Sequence, residues 1–102
     1  MGHTVTIKCT ETTGLGVHLH GDSLTEPLDV SLEAMQKNGA TRVLDPGDFT
    51  IVLINQYHSA DGLIEWSVKG TSGQKTGKTT TTKGKSYYRR GRFRLDASGA
   101  VS

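Results

Sequence analysis

Residues 42–69 read RVLDPGDFTIVLINQYHSADGLIEWSVK, and the parsing of this stretch decides the fold. Asp45-Pro46-Gly47-Asp48 is a turn signal, because proline presets φ at the second turn position and the adjacent glycine tolerates positive φ. Phe49-Thr50-Ile51-Val52-Leu53-Ile54 is then apolar at nearly every residue. A strand with one wet face would alternate, so the run predicts a central strand covered on both faces. Asn55 to Gly62 reads as a polar loop closed by Asp61-Gly62. Beyond it Ile64, Trp66 and Val68 alternate with Glu65, Ser67 and Lys69, which predicts a half-buried strand with the only tryptophan inward.

On the N-terminal side, Val5, Ile7 and Cys9 alternate with Thr4, Thr6, Lys8 and Thr10, and Leu15, Val17 and Leu19 repeat the pattern. Both predict strands, and the threonines favour a pleated backbone. Residues 28–38 carry two sets of cues. Leu28, Val30, Leu32 and Ala34 keep period two, while Asp29 and Gly39 are helix-cap residues. On a helix those four apolar residues would spread round the circumference, so a strand is expected, with Asn38-Gly39 as a type I′ hairpin turn.

On the C-terminal side, residues 70–84, GTSGQKTGKTTTTKG, contain no large apolar residue. Such a stretch buries too little to order itself, although the four threonines at 79–82 suit an edge strand flanked by lysines. From Ser86 to Leu95 a last strand has two faces. Tyr87, Gly91, Phe93 and Leu95 lie on one, with Arg89 the exception; Tyr88, Arg90, Arg92 and Arg94 lie on the other. Asp96 and the residues after it are small, so 1–96 is read as one domain and 97–102 as a flexible tail.

Seven to eight short strands with a turn about every ten residues predict an all-β antiparallel sandwich, expected to be of immunoglobulin-like type. A hydrophobic content of 33% with 13 glycines in 102 residues fits short strands and tight turns better than packed helices. The single Cys9 excludes an internal disulfide framework. With no leader pattern and a reduced cysteine, a cytoplasmic protein without a membrane span is expected, and leaderless export stays open.

The net charge of +2 conceals a division. Residues 1–68 hold three basic and nine acidic residues, whereas 69–94 hold nine basic residues and no acidic one. That asymmetry predicts a non-enzymatic binding or assembly module. An acidic surface (1–68) and a basic surface (69–94) would support self-association or a protein partner. The alternative is a polyanion, either nucleic acid or acidic glycan. It would be bound by Lys83, Lys85, Arg90, Arg92 and Arg94, with Tyr88 as a stacking face.

A second alternative is a metal. His18 and His20 at i, i+2 on a strand share a face, and a third ligand would come from His3, His58 or Asp22. The bland counterpart is two solvated imidazoles. The chain has no Gly-x-Ser-x-Gly, HExxH or CxxC pattern, and Cys9 has inward parity, so no catalytic role and no cofactor are expected.

Overall fold

The computed structural model describes residues 2–10, 16–55 and 61–102. Eight strands form two antiparallel four-stranded sheets packed as a sandwich. The first sheet runs β4 (Ala40–Leu44), β1 (His3–Cys9), β6 (Gly62–Lys69), β7 (Gln74–Thr81). The second runs β3 (Leu28–Asp29), β2 (Gly16–Gly21), β5 (Gly47–Asn55), β8 (Tyr87–Leu95). The sandwich is as expected, but the immunoglobulin-like type is not confirmed. That type orders its constant-type sheets 1-2-5-4 and 3-6-7, whereas here the first strand pairs with the fourth and sixth.

The core lies between the sheets and follows strand parity. Val5 and Ile7 of β1, Val17 and Leu19 of β2, Phe49, Ile51 and Leu53 of β5, Ile64, Trp66 and Val68 of β6, and Phe93 and Leu95 of β8 are all buried. Trp66 is clamped by two glycines. A Cβ placed on Gly77, its partner on β7, would fall 2.4 Å from the indole, and one on Gly91 of the opposite sheet would fall 2.1 Å from it. The indole therefore fills the gap between β7 and β8 that any side chain at those positions would occupy. Phe49 and Phe93 stack beside each other, with ring centroids 5.3 Å apart.

The expectation for β5 holds in part. It is central, between β2 and β8. Only one face is covered by a second sheet; on the other, Val52 is hidden by its cross-strand neighbours, as described below.

Residues 28–38 correct the sequence reading. Only Leu28–Asp29 is strand, and Ser31–Ala34 is a short helix, α1. Both the N–H and the hydroxyl of Ser31 donate to Asp29 Oδ1, at 3.0 and 2.6 Å, and the Ser31 hydroxyl oxygen accepts the Val17 N–H at 2.9 Å. These local bonds turn the chain out of the ladder, as serine and aspartate side chains do when they compete with it. Val30 and Ala34, four apart, then face the core, while Leu32 is 77% exposed. No described residue other than glycine has positive φ, so Asn38-Gly39 does not form the type I′ turn.

Two further regions are more ordered than their composition suggested. Residues 74–81 pair along the whole of β6, from Gly62↔Thr81 to Lys69↔Gln74. Backbone hydrogen bonds take the place of apolar burial there. Residues 97–102, expected as a flexible tail, fold back as a strap. Asp96 Oδ1 accepts the N–H groups of Ser98 and Ala100 and the Ser98 hydroxyl. Ala100 then bridges Ser72 of the first sheet's hairpin, and Val101, 3% exposed, pairs with Leu95 of the second sheet. Gly99 adopts φ +87°, and a Cβ there would lie 2.1 Å from Thr71 Oγ1. Among the described residues, no helix is long and apolar enough to cross a membrane.

Candidate functional site

The outer face of the second sheet gathers residues that are far apart in the sequence. In antiparallel ladders, directly opposed residues point to the same side. His18 opposes Val52, and Val52 opposes Arg90; His20 opposes Thr50, and Thr50 opposes Arg92. Gly16, Ile54 and Tyr88 form a third row, and Asp48 with Arg94 closes the other end. The two histidines read as metal ligands and the arginine strand read as a polyanion site are thus one surface, on either side of β5. A cleft of about 630 Å³ opens at one end of it, lined by His20, Asp48, Thr50, Arg92 and Arg94 among others.

The centre of this face is apolar. Val52 points outward yet is only 3% exposed, and its neighbours in the row are the long or planar side chains of His18 and Arg90. Arginine stems cover apolar surface in this way while the guanidinium stays wet. Tyr88 is 54% exposed, and the Arg90 guanidinium carbon lies 6.0 Å from its ring centroid, a cation–π contact.

Charge is distributed differently in space from the way it is distributed along the chain. Lys78 lies 4.0 Å from Glu65 and Arg94 lies 3.9 Å from Asp48, each pair directly opposed on neighbouring strands. Arg42 reaches Glu33 of α1 at 3.2 Å. The first two pairs join the acidic and basic segments within one molecule. Among the described residues, no carboxylate lies within 4.0 Å of Arg90 or Arg92. Lys83 and Lys85 are exposed in the connection from β7 to β8, where the Lys83 N–H donates to Asp61 Oδ1 at 2.8 Å. They therefore belong to the crossing loop, beyond the Tyr88 end of the arginine row.

For a metal, the third ligand is missing among the described residues, where no group of three His, Cys, Asp or Glu side chains converges. His58 lies outside the described residues. The cross-strand partner of His18 is Asp29. Bonds from the Ser31 hydroxyl and then the Ser31 N–H hold the Asp29 carboxyl below its ordinary value, and the nearby His18 adds to this. Cys9 is buried against β6, opposite Trp66, and burial pushes its thiol up to about 11. A thiol held protonated is a poor nucleophile.

The alignment of His18 and His20 with Arg90 and Arg92 was not available from the sequence. It depends on β5 pairing with a strand on each side of it, and the only trace was the unbroken apolar run of β5. The chain matches no protein-family model, no curated protein and no solved structure.

Proposed function

We propose that the protein is a non-enzymatic binding module whose second sheet takes a single-stranded nucleic acid across its outer face. The observation that carries this reading is the row Tyr88, Arg90, Arg92, Arg94 on one side of one strand, with two of its guanidinium groups unneutralised by any described carboxylate. Alternate residues on a strand recur about every 7 Å, so the arginines form a cationic track of about 14 Å. Tyr88 at its head offers a ring face for a base, and stacking of that kind is tolerant of sequence. Lys83 and Lys85 extend the track past Tyr88, and His18 and His20 flank it.

The test is a titration with a single-stranded oligonucleotide, a sulfated glycan and a neutral glycan over a range of salt. Three to five phosphate contacts give a slope of log K against log salt of about −2 to −3.5 for a single strand. Arg90→Ala with Arg92→Ala should reduce the slope by about 1.4, and Tyr88→Ala should weaken binding by about 1–3 kcal/mol without changing the slope. Sulfated-glycan binding that ignores Tyr88→Ala would assign the face to acidic sugars. Salt-insensitive binding, or none, would end the reading.

Self-association between an acidic and a basic surface is the competing assignment. The pairs Glu65–Lys78 and Asp48–Arg94 satisfy opposite charges within one copy, which leaves less for a second copy to complement. Sedimentation at low ionic strength decides between them: a salt-dissociable oligomer would restore this assignment, and a monomer would remove it.

A further inference from the structure

The outer edge of β8 is distinct from the face its side chains form. β8 is the last strand of its sheet, and its register with β5 is unbroken from Gly47↔Leu95 to Asn55↔Tyr87. On its far side the strap has already begun another strand. Arg94 N–H donates to Ser102 O at 2.9 Å, and Ser102 N–H donates to Arg94 O at 3.0 Å. In an antiparallel ladder, the backbone groups of successive residues point alternately to one neighbour and the other. Because those of Arg94 point away from β5, those of Arg92, Arg90 and Tyr88 do too. The Tyr88 carbonyl is taken by the Arg89 guanidinium at 3.1 Å. The N–H and C=O groups of Arg90 and Arg92 have no partner among the described residues.

Natural sheets blunt such edges with proline, bulges or charge. This one has no proline and no bulge, and its charges are all of one sign. We propose that the β8 edge accepts an extended acidic peptide segment as a fifth strand of the second sheet, antiparallel to β8 and in line with Val101–Ser102. From Tyr87 to Arg92 the edge accommodates about six residues, or roughly 20 Å, a common strand length. Residues of the segment opposed to Arg90 and Arg92 would share their outward face, and acidic side chains there form cross-strand pairs. A second copy is the poorer occupant, because β8 against β8 crowds arginine on arginine. Main-chain bonds supply the affinity in this mode, and alternate side chains supply the choice of partner.

The probe is a blocked heptapeptide, Val-Glu-Val-Glu-Val-Glu-Val, added to the intact protein and followed by amide hydrogen exchange and chemical shift. At saturation the Arg90 and Arg92 amides should exchange at least about tenfold more slowly, since each gains a bonded partner. Methylating the peptide nitrogens of the three glutamates keeps the charge but removes the donors, and should weaken binding at least about tenfold. Methylating the valine nitrogens, which face solvent in this register, should change little. Equal binding by the glutamate-methylated peptide would mean attraction to the arginine side chains alone and would overturn the proposal. So would unchanged exchange at Arg90 and Arg92. Neither result depends on whether the face binds nucleic acid.

Discussion

The two sheets turn outer faces to solvent that obey the same alternation and carry different chemistry. On the first, Thr4, Thr6 and Lys8 of β1 lie beside Ser67 and Lys69 of β6, and Glu65 of β6 faces Lys78 of β7. Its lysines are spread over three strands, with an acid among them. On the second, a tyrosine and three arginines at alternate positions are confined to one edge strand, and the middle of the sheet is apolar. The difference traces to a single strand. β5 places Val52 and Ile54 outward, where β6 places Ser67 and Glu65. A sheet with an apolar outer row needs cover, and flanking arginine and histidine side chains provide it while keeping their polar ends in water. A dense cationic track and a hidden valine are thus two aspects of one arrangement.

The strongest way to break this comparison is to damage the interior that both faces share. Trp66→Ala should cost about 3–5 kcal/mol in denaturant unfolding, because the indole occupies the space between Gly77 and Gly91. A loss below about 1 kcal/mol would show that the sheets are not held together there.

A smaller substitution separates the faces themselves. Val52→Ala should cost about 1.5 kcal/mol, near the value for two buried methyl groups, and Ser67→Ala at the matching place on the first sheet should stay within about 0.5 kcal/mol. Equal effects would mean that the outer row of β5 is not sheltered.

Two titrations then sharpen the contrast between interior and rim. The folded Cys9 thiol keeps its proton up to about 11, against an ordinary 9.0, because burial disfavours the thiolate. Stability is therefore whole below about pH 9 and is lost as pH rises from 9 towards 11, where the unfolded thiol ionises and the folded one does not. The stability gap between the natural chain and Cys9→Ala should shrink across that window. At the rim the sign is opposite. The Asp96 carboxyl is held below its ordinary 3.8 by the Ser98 hydroxyl, then by the Ala100 and Ser98 N–H groups. Its contribution is present above that value and lost as pH falls through the lowered one. Protection of the Ala100 and Val101 amides, measured against their intrinsic exchange rates, should fall in acid, and Asp96→Ala should already show the lower protection at neutral pH.

Legibility followed the range of the interactions. β1, β2, β6 and β8 could be read because their inward residues alternate, and a buried Trp66 followed from that parity. The unbroken run 49–54 marked β5 as central, as it is, although the cover on its second face comes from flanking side chains rather than from another layer. Residues 30–34 misled because Asp29 and Ser31 close a local turn that period-two counting does not weigh. The strap at 96–102 was not legible because Val101 docks onto a distant strand end, and nothing in its small neighbours signals that. The division of charge at residue 68 holds along the chain, and the sequence could not say which of its charges meet in space. Register decides which acid meets which base, and it set Glu65 opposite Lys78 and Asp48 opposite Arg94. The arginine row of the candidate site was visible in the sequence; its histidine flank was not, because β2 meets β8 only through β5.

The position of Trp66 also makes the molecule its own optical gauge. The chain has one tryptophan, on β6 of the first sheet, and its ring abuts Gly91 on β8 of the second. Fluorescence from that indole therefore monitors the seam between the layers rather than the integrity of either one. An event that peels the sheets apart, or slides one over the other, shifts the emission even while every strand keeps its ladder. Ligand capture on an outer face or along an edge leaves the emission unchanged unless it is transmitted to that seam.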